Sequence, residues 1–314
     1  NIRRTLTLSG LRGNGRRRNL WDMEREVFES REVELADGQH IVTRIFRPTG
    51  ARRGAVLIVA AMGVTQAFYA PLAKWLAGVG FVALTFDYRG MGLSRPVEHR
   101  RSLRGFEVGL LDWARQDCAA MLDLASNEAP GAPISWLGHS LGGQILPFVP
   151  NRESVARMIT VASGSGYWRE NSPRLRRFAG LLWYGVVPAS MALFGYFPGK
   201  RLRMVGDLPR GVMAQWRRWC LDPEYAVGVE GELARRLFAG VTTPIVSFSF
   251  TDDDFMSARN TESLHRFYAG APRTMKRFAP ADLGERQVGH FGFFRPEVAE
   301  SLWRPHLLPE LAAR

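Results

Sequence analysis

Apolar residues in this chain gather in short unbroken runs, and the stretches between them show apolar positions at helical spacing. Residues 55–60 read AVLIVA, 81–86 FVALTF, 134–138 ISWLG and 157–162 RMITVA. Runs of that length without polar alternation predict strands covered on both faces. Helices are predicted over about 68–76, over 110–124, and after Ser140. Strands alternating with helices in this way predict an α/β protein with a mostly parallel, doubly wound sheet. Ahead of them, Val33 and Leu35, then Asp37-Gly38, then Ile41, Thr43 and Ile45 predict a hairpin with a two-residue turn.

The alternation stops at Ser163 and resumes only with PIVSFSF at 244–250, followed by a helix near 261–268, a strand at 274–278 and a helix after Pro296. The interruption is rich in Trp, Tyr, Phe, Arg and Gly. It predicts a cap, 163–240, inserted over the carboxyl ends of a core made of 30–162 and 241–314, where open α/β sheets place their ligands. Within the cap, residues 178–199 carry no charge and are flanked by Arg176, Arg177, Lys200 and Arg201. That length suits a membrane span. Pro188 and the glycines at 180, 185 and 195 argue instead for broken helices, with Trp183, Tyr184, Met191 and Phe194 as an apolar wall for substrate.

Charge adds one feature to this picture. The net charge is +12 over 314 residues, and Arg3, Arg4, Arg12 and Arg16 to Arg18 crowd a start that reads as a flexible basic arm, 1–29. No zinc-finger spacing or RNP-like stretch accompanies it, so no nucleic-acid partner is expected. The balance admits peripheral contact with an anionic membrane. Cys118 and Cys220 form no paired motif, so neither a metal site nor a disulfide framework is expected. No apolar run follows the basic start, which predicts a cytoplasmic protein. The oligomeric state is left open.

The residues that carry chemistry begin with Gly138-His139-Ser140-Leu141-Gly142, directly after the strand ISWL. This is the G-x-S-x-G elbow in a strand–turn–helix setting, which lifts a serine hydroxyl to the top of the sheet. Such a hydroxyl needs a general base, and the partners of this motif follow in the order acid, then histidine. His290, in VGHFGFF after the last strand, occupies the base position, whereas His306 falls in the final helix and His139 suits local packing. Asp252, Asp253 and Asp254 follow PIVSFSF, and Asp253 is assigned as the acid with Asp252 its rival. Backbone N–H groups of Leu141 and Met62, the latter in AAMGVTQAFY, are the candidate oxyanion donors.

The runs RGAVLIVAAMG, FDYRGMGLS, GHSLGG, SFTDDDF and VGHFGFFR, with ASGSGYW and FGYFPG in the cap, resemble α/β-hydrolases of the serine esterase and lysophospholipase type. The resemblance covers about 30–314. It implies an α/β-hydrolase fold and a serine hydrolase that needs no cofactor and cleaves a small-molecule carboxylic ester through an acyl-enzyme. Thioester cleavage and acyl transfer by the same triad are the alternatives, and a noncatalytic ligand receptor a more remote one.

Overall fold

A computed structural model describes residues 28–312, so the basic arm predicted over 1–29 lies almost wholly outside the described residues. Its last residue, Glu29, belongs to the first strand. Strands β1 (Glu29–Glu34) and β2 (His40–Phe46) form the hairpin. The turn is one residue longer than its Asp-Gly pair suggested. Leu35 N–H donates to Gln39 O at 2.8 Å and Gly38 takes φ 79°, so three residues turn the chain with the glycine in the left-handed position.

The chain then runs β3 (Gly54–Val59), α1 (Ala70–Gly78), β4 (Phe81–Phe86), α2 (110–128), β5 (Ile134–His139) and β6 (Val155–Val161). The cap follows with α3 (Pro173–Phe194), α4 (Arg210–Leu221) and α5 (Tyr225–Ala239), the last broken at Gly231, where φ is 74°. The core closes with β7 (Ile245–Phe250), α6 (Ala258–His265), β8 (Arg273–Phe278) and α7 (303–312).

All eight strands form one sheet in the order β1-β2-β4-β3-β5-β6-β7-β8. β1, β2 and β4 pair antiparallel, and every pair from β4 to β8 is parallel. Every residue of β3, β4, β5 and β7 is buried, which is why these strands read as continuous apolar runs. From β3 the chain steps one way to β4, and from β4 it crosses back to β5. With right-handed crossovers, α1 and α2 therefore lie on opposite faces. The loops after β3 and β5 leave adjacent strands at this reversal, opening a crevice at their carboxyl ends.

The helix expected after Ser140 is not continuous. Ser140–Gly143 and Leu146–Phe148 are separate 3₁₀ turns. Pro147 has no N–H to donate and Gly142-Gly143 disfavours helix, so the segment folds as tight turns filling the space under the cap.

Candidate active site

Ser140 sits on a backbone bent to φ 50°, one of few non-glycine residues in that region, immediately after β5. The flanking glycines are needed for contact rather than for their own dihedrals. A Cβ on Gly138 would strike the Gly142 carbonyl, and one on Gly142 would strike the carbonyl of Val59 in β3. The turn is pressed against two strands at once, so the serine is held in a conformation that its neighbours over-determine.

His290 lies in the loop after β8, and its Nδ1 is 2.9 Å from Asp253 Oδ2. Both side chains are almost completely buried. The other Asp253 oxygen accepts from the N–H groups of Phe255 (2.7 Å) and Met256 (2.9 Å), which fixes the carboxylate at the end of β7. A carboxylate on Nδ1 makes that nitrogen the protonated one and leaves Nε2 with its lone pair.

The two neighbouring aspartates have separate work. Asp252 turns the other way and accepts from the N–H groups of Val288 and Gly289 at 2.9 and 3.0 Å, pinning the loop just before His290. Asp254 is on the surface, paired with Arg174 at the start of α3. Asp253 is thus the member of the trio whose carboxylate meets the imidazole, and its rival Asp252 holds the backbone beneath it.

A third tether reaches His290 through its carbonyl. His139 Nε2 lies 2.9 Å from His290 O and must donate, so Nδ1 accepts the Tyr69 hydroxyl, also at 2.9 Å. Burial, reinforced by His290 beside it, holds His139 well below the ordinary imidazole range, so it stays neutral. Tyr69 Oη in turn accepts the Ala61 N–H at 2.8 Å. This has a consequence in the loop after β3. With Ala61 committed, the next amide is that of Met62, which has no hydrogen-bond partner among the described residues. Leu141, second in the 3₁₀ turn, likewise has an amide with no acceptor inside the turn. Gly63 follows with φ 73°, and its carbonyl accepts from Gly206 of the cap at 3.0 Å.

Asp87, Tyr88 and Arg89 form the scaffold under this loop. Asp87 Oδ1 accepts from Gln66 N–H at 2.8 Å, Tyr88 donates to the Ala60 carbonyl at 3.0 Å, and Arg89 pairs with buried Asp117.

Ser140, Met62 and His290 meet at the wall of one cavity of about 110 Å³ beneath the cap. The remaining wall is almost wholly apolar. Leu175, Ala179, Leu182 and Trp183 come from α3, and Met213, Trp216 and Cys220 from α4, both sets at helical spacing. Ser140 is only 9% exposed, so a substrate enters by way of the cap.

Of the four predicted wall residues, Trp183 lines the cavity and the other three do not. Tyr184 is 61% exposed, with Trp168 edge-on and Arg217 over its ring. One residue further along a helix is a turn of about 100°, which carries Tyr184 to the outer face. Met191 and Phe194 lie at the far end of α3, about 12 Å or more beyond Trp183 along the axis. There Met191 packs on the core and Phe194 carries Arg201 on its ring. Asp252 was singled out only as an alternative acid, not as the anchor of the His290 loop, and Asn171, Tyr69 and the α4 stripe were not singled out from the sequence. The i, i+3, i+7 spacing of Met213, Trp216 and Cys220 is the one signal that pointed to any of them.

Comparison with known proteins adds lineage to this geometry. Residues 50–192 match the family model "Serine aminopeptidase, S33", a stretch that includes Met62, Ser140 and Leu141 and ends before Asp253 and His290. Over 110 residues the chain is 30% identical to monoglyceride lipase of Homo sapiens, a match covering 35% of this chain and 34% of that protein. The chain therefore spans about a third of the length of the curated relatives it matches. A soluble variant of monoglyceride lipase from Saccharomyces cerevisiae superposes with a TM-score of 0.57 at 18% identity, covering 81% of this chain and 86% of that one. A thermostable carboxyl esterase from Bacillus coagulans gives 0.52 at 15% identity, covering 81% and 90%. At such identities the structural likeness speaks for the fold. Together with the sheet order and the strained serine after β5, these structural matches show that the chain has the α/β-hydrolase fold.

Proposed function

We propose that this chain is a serine hydrolase that cleaves carboxylic esters with an apolar, medium-length acyl group through an acyl-enzyme. The observation that carries the reading is the joint position of Ser140 and His290 on one apolar cavity, with His290 Nδ1 at 2.9 Å from a buried carboxylate. His290 Nε2 removes the proton as Ser140 Oγ attacks the ester carbonyl, and Asp253 holds the imidazole and stabilises the imidazolium. The N–H groups of Met62 and Leu141 receive the oxyanion. Collapse of the tetrahedral intermediate expels the alcohol, which takes the proton from His290, and water then repeats the sequence to release the acid.

The cavity supports the acyl preference, being apolar and somewhat smaller than the roughly 150 Å³ cavity that holds a benzene molecule elsewhere. A short or medium chain fills it and acetate leaves most of it empty. The test is kcat/KM across p-nitrophenyl acetate, butyrate, hexanoate and octanoate, beside the coenzyme A thioesters of the same acids. A rise from acetate to butyrate or hexanoate is expected, with esters ahead of thioesters. An acetyl ester equal to or better than the longer ones overturns the acyl preference, and faster thioester turnover reassigns the substrate.

The outer face of the cap supports peripheral contact with an anionic membrane. Phe178, Leu181, Tyr184 and Leu193 of α3 are between 61% and 69% exposed. Arg174, Arg176 and Arg177 precede them at the surface, and Lys200, Arg201 and Arg203 follow. An apolar face framed by cations lies down on anionic lipid. By length and composition α3 is the one helix among the described residues that could cross a membrane, but its inner stripe, Ala179, Trp183 and Val187, is packed into the protein.

A further inference from the structure

The loop after β3, which carries the Met62 N–H, is held from two sides. On the core side Tyr88 donates to the Ala60 carbonyl at 3.0 Å, and the Ala61 N–H donates to Tyr69 Oη at 2.8 Å. Past Met62 the holder is the cap, where the Gly206 N–H donates to the Gly63 carbonyl at 3.0 Å. This contact is close enough to exclude a side chain from either glycine. A Cβ on Gly63 would lie 2.7 Å from Val205 Cβ and 2.8 Å from Gly206 N, and one on Gly206 would lie 2.7 Å from the Gly63 carbonyl oxygen. The cap anchor belongs to the loop that joins α3 to α4. Phe197 and Leu208 close the base of that loop with reciprocal backbone hydrogen bonds of 3.0 and 2.9 Å. Asp207 ties its interior, accepting the Lys200 N–H at 3.1 Å and pairing with Arg95 at 3.2 Å. Residues 200–204 are exposed, and Met204 and Val205 line the cavity together with Met62 and Ser140. Val205 therefore meets both Gly63 and the space in which the acyl group is placed.

We propose that Val205 is a positioning residue that couples occupancy of the acyl cavity to the Met62 oxyanion donor, so that acyl-chain length is read in the rate of acylation and not in binding alone. The inference rests on the proposed acyl-enzyme with its acyl group in this cavity, and it deepens that reading. A chain long enough to reach Met204 and Val205 gives Val205 packing partners on its cavity side and presses it toward Gly63. With an acetyl group that side has no partner atoms, and the dispersion contact is lost. The loop then rests on its own base and on the single Gly206–Gly63 bond. A donor aimed at a developing oxyanion stabilises it only while its direction is held. Contact with a non-reacting part of the substrate thus appears as transition-state stabilisation, which raises the rate constant as well as the affinity.

The experiment follows the burst of p-nitrophenolate from p-nitrophenyl acetate and hexanoate by stopped flow, which separates the saturating acylation rate constant from the half-saturating ester concentration. In the wild type the acylation rate constant is expected to be about tenfold higher for hexanoate than for acetate. In Val205→Ala that ratio is expected to fall toward one, and in Val205→Ile, which keeps the β-branched contact, to be retained. Asp207 is not part of the cavity wall, so Asp207→Ala loosens the loop without changing the space for the chain. It is expected to flatten the ratio of rate constants while the half-saturating concentration for hexanoate shifts by less than about threefold. A merely structural role would lower both rate constants alike and leave their ratio standing. A wild-type rate constant independent of chain length, with the preference residing in affinity alone, overturns the coupling and leaves the hydrolase reading intact. A ratio that persists in either folded variant overturns it too. No burst with either ester overturns the hydrolase reading and the coupling with it.

Discussion

The floor of the site and its roof are built on opposite terms. In the floor His290 is held at several points at once. Its Nδ1 is fixed by Asp253, its carbonyl by His139, and the backbone before it by Asp252, while Asp253 itself is fixed by two amides. In the roof, the wall is mostly apolar, two buried polar atoms, Asn171 Oδ1 and Trp183 Nε1, are unpaired among the described residues, and four large apolar side chains of α3 face outward. Directional bonds define positions to fractions of an ångström, as a proton transfer requires, whereas apolar contact is non-directional and tolerates a range of shapes. The difference teaches that chemistry and substrate choice are built separately here and joined where Gly206 meets Gly63. On the proposed function, the floor sets what reaction occurs, and the roof sets which acyl chain undergoes it.

Substitutions in the floor should be the most damaging, and Ser140→Ala should remove ester turnover by about 10⁴-fold or more together with labelling by a fluorophosphonate. Asp253→Asn should lower kcat by roughly 10³- to 10⁴-fold with the fold intact by circular dichroism, because the imidazole loses the partner that sets its tautomer. Full labelling of the serine variant, or a fast Asp253→Asn enzyme, breaks the comparison at its strongest point.

A smaller effect separates the two adjacent aspartates. Asp252→Ala leaves the N–H groups of Val288 and Gly289 without their acceptor, so the loop carrying His290 should drift and kcat fall by roughly tenfold to a hundredfold. A loss as deep as that of Asp253→Asn would show that both carboxylates act directly on the imidazole.

The buried core should be acid-sensitive as well. His265 of α6 donates from Nδ1 to Thr261 O at 2.7 Å and its Nε2 lies 2.9 Å from the Thr160 hydroxyl of β6. Burial pushes its imidazole down from 6.5 to about 4, partly offset by the Thr261 carbonyl. Between those values the unfolded chain binds a proton that the folded one refuses. The contribution is thus fully present above pH 6.5 and is lost as the pH falls toward 4, by roughly 3 kcal/mol in all. Urea midpoints measured from pH 7.5 to 4 should fall more steeply for the wild type than for His265→Leu. Parallel curves would remove this group from the account.

The roof's outer face should respond least in stability and most in location. Phe178→Ser with Leu181→Ser should change the unfolding free energy by less than about 0.5 kcal/mol per site, since both side chains are already exposed. The same pair should reduce partitioning onto phosphatidylserine-containing vesicles by roughly tenfold. Undiminished binding would leave the apolar face without its lipid.

How far the sequence carried can be read from individual residues. Each parallel strand was legible because burial on both faces leaves an unbroken apolar run, and Ser140 because a sharp strand-to-turn junction admits only glycine at 138 and 142. The order serine, aspartate, histidine followed from the same motif, and the length of the interruption between β6 and β7 marked the cap. Three neighbouring aspartates, by contrast, are identical as letters. Only the paths of the loops after β7 and β8 send Asp253 to the imidazole, Asp252 to a backbone and Asp254 to the surface. Within the cap, composition marked an apolar helix but not its rotation about its own axis. That rotation, set by what α3 packs against, turned Trp183 inward and Tyr184 outward. Local covalent geometry and periodicity, which act over a few residues, were determined by the sequence alone. Contacts between segments more than a hundred residues apart, such as the reach of His139 to His290, were decided only when the sheet brought them together.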